Sequence, residues 1–150
     1  MGKSKVEFCS EAWVAIARDY LTKAVKGASL QGIQFTFCEV FTDPPAHLVD
    51  KNKDKTGWYV SVAGGELRIA RGLVAEADYR ITCDYQTVLP LARTVFENNP
   101  QGAADAQKAV EEATNCGKMI REGDREIFAR YPVIANAFAK LHDTLARRTL

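Results

Sequence analysis

The chain reads as an α+β domain in which helices cover one side of a mostly antiparallel sheet, and three stretches predict this. Ala77-Asp78-Tyr79-Arg80-Ile81-Thr82-Cys83-Asp84 alternates with a period of two, the pattern of a half-buried strand. Trp58, Val60 and Val62 alternate with Tyr59, Ser61 and Ala63, and Gly64-Gly65 then turns tightly into Glu66–Arg71, a hairpin signature. Runs of helical spacing lie before, between and after these strands without alternating regularly with them, which argues against βαβ units.

In chain order, Ser10 is placed to cap a first helix. Its buried stripe is Trp13, Ile16, Ala17, Tyr20, Leu21 and Ala24, and Gly27 ends it. Ile33 to Phe41 is the first strand, with Ile33, Phe35, Phe37 and Phe41 on one face. Glu39 falls on that same face. An unpaired buried carboxylate is costly, so Glu39 needs a partner, an open edge or a bulge, or it faces a ligand. Asp43 to Thr56 is a loop broken by Pro44-Pro45, with a solvated charge run from Asp50 to Lys55. Its length suggests a lid or binding role. His47 inside it has no neighbouring His or Cys and reads as exposed or hydrogen-bonded rather than as a metal ligand.

The Trp58, Leu67 and Ala77 strands, joined by short connections at Gly64-Gly65 and Gly72, are expected to form a meander. A helix follows with Val88, Leu91, Ala92, Val95 and Phe96 on one face; Pro90 places its regular start near Thr87. Asn99 and Pro100 open another helix through about Thr114. Its stripe of Ala103, Ala106, Ala109, Val110 and Ala113 makes it a thin cover or a movable one. Lys118 to Glu122 is the last strand. Asp124 can cap a short helix containing Ile127 and Phe128. Pro132 begins a final helix with Ile134, Ala137, Phe138, Leu141 and Leu145 buried.

Composition bounds the rest. The chain has 150 residues, 47% hydrophobic and 26% charged, ordinary for one globular domain that buries roughly 70% of its unfolded surface. A formal charge of +1 gives no reason to expect nucleic acid or an anionic membrane surface. No apolar run is long enough for stable membrane insertion. No hydrophobic segment of signal-peptide type follows Met1, and Gly2 alone is a weak acylation cue. Cys9, Cys38, Cys83 and Cys116 lack metal-ligand spacing and read as reduced thiols, which points to the cytoplasm. No metal and no cofactor is expected: GxGxxG, Walker, HExxH, CxxC and GxSxG motifs are all missing. Candidate acid–base groups are Glu39, Asp78, Tyr79, Asp84, His47 and His142. Adjacent helical side chains point apart, so His142 and Asp143 form no dyad with each other.

Gly57-Trp58-Tyr59-Val60-Ser61-Val62, Ala77 to Asp84, and Gly117-Lys118-Met119-Ile120-Arg121-Glu122-Gly123-Asp124 resemble successive signatures of the sterol carrier protein 2 (SCP2) family. The resemblance spans Trp13 to Leu145. It implies a five-stranded sheet and about five helices around a hydrophobic tunnel for sterols, fatty acids or fatty acyl-CoA, in a single domain over 1–150. The family's last strand is altered here, because Ile120 and Arg121 exchange polarity. An inward Arg121 would favour an acidic amphiphile over a sterol, binding its acidic end or neutralising Glu39; otherwise it snorkels to solvent along Met119. The resemblance implies a structural role for Asp78.

Three functions therefore compete. The first is non-catalytic binding or transfer of a lipid or acyl chain, the expected small-molecule partner. The second is a cavity enzyme of isomerase or hydratase type with Glu39 or Asp78 as base. The third is an accessory or oligomerisation module, the oligomeric state being open. No catalytic residue is assigned. For the first reading, the ligand would contact some of Trp13, Phe35, Phe37, Trp58, Ile69, Met119, Arg121, Phe128, Phe138 and Leu141.

Overall fold

The computed structural model describes residues 3–50 and 53–150. Met1, Gly2, Lys51 and Asn52, and with them the Gly2 acylation cue and part of the loop charge run, lie outside the described residues. The architecture is α+β. The elements are α1 (Glu11–Ala24), β1 (Phe35–Thr42), a 3-10 turn (Ala46–Leu48), β2 (Lys55–Ala63), β3 (Glu66–Arg71), β4 (Tyr79–Asp84), α2 (Tyr85–Arg93), α3 (Pro100–Asn115), β5 (Met119–Gly123), α4 (Ile127–Arg130), α5 (Pro132–Phe138) and α6 (Leu141–Ala146). The five strands lie in the order β3-β2-β1-β4-β5.

The expected meander stops after one hairpin. β3 pairs with β2, but β4 pairs in parallel with β1, on the opposite side of the sheet from β3. Every other pairing is antiparallel. Residues 72–78 must therefore cross three strand spacings, on the order of 14 Å, which an extended segment of that length can span. They cross on the face away from the helices. There the Gly72 amide donates to the Gly57 carbonyl at 2.8 Å. A Cβ on Gly57 would meet the Glu39 carbonyl oxygen at 2.5 Å and Leu73 at 2.9 Å, so glycine in mid-strand is what lets the crossing chain lie flat. Arg80 pins the same loop through the Val74 and Ala75 carbonyls at 3.0 and 3.1 Å.

The helices differ from expectation in three places, the smallest being α4, which starts after Glu126 with no side-chain cap while Asp124 Oδ1 accepts the Glu126 amide at 2.9 Å. α2 begins at Tyr85, capped by Asp84, whose carboxylate accepts the Thr87 amide at 3.0 Å, so Pro90 sits inside the helix rather than in its first turn. The intrahelical bond Pro90 cannot make would have gone to Gln86, and both residues are exposed, where water can serve instead. The final helix is two, α5 and α6, separated by a tight turn at Ala139-Lys140. The buried stripe continues across that turn. α1 starts as expected, with the Ser10 hydroxyl accepting the Trp13 amide at 3.2 Å. α3 starts on Asn99 and Pro100.

Register assigns the faces. Phe35, Phe37, Glu39 and Phe41 of β1 look toward the helices together with Trp58, Val60 and Val62 of β2, Ile69 of β3, Tyr79 and Ile81 of β4, and Met119 and Arg121 of β5. α1, α5 and α6 pack on this face and on one another. α3 covers the other edge, where Ala113 meets Cys83 and Met119.

Candidate functional site

Between the helical face of the sheet and α2, α3, α5 and α6 lies a cavity of about 340 Å³. Phe8, Trp13, Phe37, Trp58, Val88, Leu91, Ala92, Phe96, Ala106, Val110, Phe138, Leu141 and Leu145 wall it with carbon. Glu39 and His142 bring the titratable groups. A crevice of about 510 Å³ on the far face, under the 72–78 crossing, is instead lined by Lys53, Lys55, Arg80 and Glu122 beside Val40 and Leu73. It lacks the apolar enclosure that small-molecule sites show.

The cavity is built by size mismatch. β1 and β2 supply large aromatic side chains, and Trp58 meets Trp13 and Phe37 edge to face at centroid distances of 5.2 and 6.2 Å. The Trp13 indole N–H donates to the Thr149 hydroxyl at 3.2 Å, and the Tyr85 hydroxyl donates to the Phe8 carbonyl at 2.8 Å, which fastens the segment before α1 over one end. At the other end the cover comes from α2 and α3. There Ala92, Ala106 and Val110 present short side chains to the open space.

Glu39 lies in the middle of the central strand, with no bulge or edge near it. Directly across the β1–β2 pair stands Trp58, whose indole N–H donates to Glu39 Oε1 at 2.9 Å. The second oxygen, Oε2, has no protein partner among the described residues and opens into the cavity. Glu39 makes no ion pair among those residues. Burial raises its pKa to about 7, and the Trp58 hydrogen bond offsets only part of that.

His142 stands on α6 at the far wall. Its ring stacks on Phe96 at 4.2 Å, and its Nε2 donates to the Thr94 carbonyl at 2.8 Å. That bond places a proton on Nε2, so that in the neutral ring Nδ1 is the acceptor. Asp143 points elsewhere, accepting the Phe96 and Glu97 amides at 2.7 and 3.0 Å; these bonds hold its pKa below the usual value.

Of the ten residues singled out in the sequence, Trp13, Phe37, Trp58, Phe138 and Leu141 line the cavity. Phe35 and Phe128 do not; they pack on each other and on Phe138 beside it. Ile69 is buried on β3 under α1. Met119 belongs to the Cys83–Ala113 cluster. Arg121 sits half-exposed on the edge strand opposite Ile81, outside the cavity wall and without an ion pair to Glu39. Val88, Leu91, Ala92 and Phe96 were visible in the sequence as a helical stripe, but nothing there marked that stripe as the edge of a void.

Asp78, Asp84 and His47 have structural partners, and Tyr79 packs its ring against Phe37 at 5.9 Å. Asp78 Oδ2 accepts the Thr36 amide at 2.7 Å and so ties β4 to the start of β1. Asp84 caps α2. His47 pairs with the Glu7 carboxylate at 2.7 Å on the surface. All four cysteines are free. Among the described residues no group of side chains could hold a metal ion, and no helix is long and apolar enough to cross a membrane.

No protein-family model matches the chain, and no curated protein matches it by sequence. Solved structures do. The crystal structure of sterol carrier protein 2 aligns with a TM-score of 0.50 at 17% identity, over 93% of this chain and 98% of that one. The fold is that of sterol carrier protein 2. A solution structure of a conserved hypothetical protein from Thermus thermophilus, described as possibly sterol carrier protein, aligns with a TM-score of 0.47 at 18% identity, over 97% and 94% of the two chains. The SCP2-like sheet carries its cavity on the helical face, and the walls of that cavity belong to this sequence.

Proposed function

We propose that this chain is a single SCP2-like domain that binds a hydrophobic small molecule, a lipid or acyl chain, in the cavity and carries it without chemical change. The observation behind this reading is the half-open, apolar-walled space of about 340 Å³ between sheet and helices, at the low end of the range for small-molecule sites. Trp13, Phe37, Trp58, Phe138 and Leu141 are its contacts from the sequence reading, joined by Leu91, Phe96 and Ala106. A solid core would leave this face filled, and an accessory module would have no use for the space. Free thiols at Cys9, Cys38, Cys83 and Cys116 support a reducing compartment such as the cytoplasm.

Both tryptophans stand in the wall, so the test is optical. Bromododecane, whose bromine quenches indole on contact, is expected to lower tryptophan fluorescence saturably. In Ala106→Phe, which puts a ring into the space, the quenching is expected to be lost. A linear, non-saturating response in the native protein would overturn the proposal.

A further inference from the structure

We infer that Glu39 makes this cavity select lipids whose buried end donates a hydrogen bond, a primary amine or an alcohol, and reject carboxylates. The inference rests on the binding function proposed above and names the ligand class for it. Three observations carry it. Glu39 Oε2 faces the cavity without a protein partner among the described residues, while Oε1 is held by Trp58 at 2.9 Å, so the carboxyl group is oriented and half free. The other polar wall group, His142, spends its Nε2 proton on the Thr94 carbonyl at 2.8 Å, and its neutral ring has only an acceptor left. The cation nearest to this role in sequence, Arg121, stays at the edge strand outside the wall.

A fatty acid carboxylate in this space would meet a second carboxyl group and no counter-charge. One of the two must then hold a proton, since two carboxylates sharing one site cannot both ionise freely. An alcohol can donate to Oε2 when Glu39 is ionised and accept from it when Glu39 is protonated. An ammonium group does more, since it supplies the missing positive charge and a charge-assisted hydrogen bond. The open oxygen and the indole-held one thus make a one-sided acceptor at the floor of an otherwise carbon-lined chamber.

Displacement of bromododecane from the intact protein tests this at pH 8, with dodecylamine, dodecanol and dodecanoate each below its micellar range. Amine and alcohol are expected to restore the fluorescence at concentrations at least ~10-fold below those needed for dodecanoate. Glu39→Gln keeps the size and the bond from Trp58 but removes the charge. It is expected to bring amine and carboxylate within about threefold of each other, each competitor being scaled to the bromododecane affinity measured on the same variant. Dodecanoate competing as well as the alcohol in the native protein would overturn the inference while leaving the binding function intact. So would a preference that survives Glu39→Gln. Failure of bromododecane itself to bind would instead overturn the function, and this inference with it.

Discussion

The two ends of the helical layer are built from different side chains on the same sheet. Under α1, Val14, Ala17 and Leu21 are buried against β3 and the helices beside it, and Ile134 and Ala137 fill in from α5. Under α3 only Ala106 and Ala113 are buried, with Val110 partly so. Both helices are amphipathic and both are capped on schedule. What separates them is reach. A leucine or tryptophan extends far enough to interlock with the sheet, whereas an alanine stripe brings the helix backbone close at one point and leaves space wherever the sheet curves away. Here that space lies at the α2–α3 end, over Phe37 and Glu39. The cavity is a property of small residues on the cover.

Truncation tests this difference most strongly. Leu21, 1% exposed, has neighbours on all sides. Leu21→Ala is expected to destabilise the protein by about 2–5 kcal/mol, because a new hole is added to the lost transfer energy. Leu91 borders space that is already open. Leu91→Ala only enlarges it and is expected to cost on the order of 1 kcal/mol. Urea unfolding of the two variants decides. Equal costs would mean that the α2 side is packed as tightly as the α1 side.

The same contrast explains what could be read from the sequence. Strand and helix faces came through, since a period of two or of 3.6 is set by the backbone, and Glu39 stood out as a carboxylate among phenylalanines. The β1–β4 pairing did not. A Gly72 turn fits a meander as well as a crossing, and only the length of 72–78 and the bare Cα of Gly57 hint at the second. Arg121 lies on the helical face by parity, as the sequence allowed, yet an edge strand lets it remain near solvent. Ten of the fifteen cavity-wall residues were not among the expected contacts, for a plain reason. An amphipathic stripe such as Val88, Leu91 and Ala92 says which way a helix faces, and says nothing about whether the facing surface is in contact.

The second effect comes from the charge at the floor of the open end. With its pKa raised by burial from 4.5 to about 7, Glu39 binds its proton more tightly in the folded than in the unfolded chain. Its contribution to stability is therefore full below about pH 4.5 and falls as pH rises through 7, by at most about 3 kcal/mol. Glu39→Gln should remove this slope. The variant is expected to be more stable than the native protein at pH 8 and nearly equal to it at pH 4.5, as read from chemical unfolding at the two values. A constant difference between the proteins across that range would show that Glu39 is solvated through the cavity and titrates near its ordinary value.

The smallest effect is the most direct probe of the comparison, because it adds atoms rather than removing them. Ala17 on α1 and Ala106 on α3 are both buried alanines on the inner side of a helix, at 0% and 8% exposure. Enlarging a residue in a filled interior forces neighbours off their rotamers and costs about 1–3 kcal/mol. Ala17→Phe should show that cost in full, since Trp13, Leu21 and the sheet leave the ring nowhere to go. At Ala106 the ring enters a cavity of about 340 Å³ and exchanges water contact for the apolar faces of Phe37 and Phe96. The gain from burying that surface offsets the strain of reorienting Val110, so Ala106→Phe is expected to fall within about 1 kcal/mol of the native stability. A destabilisation of Ala106→Phe as large as that of Ala17→Phe would mean that the space beneath α3 closes in solution, and the contrast between the two ends would be lost.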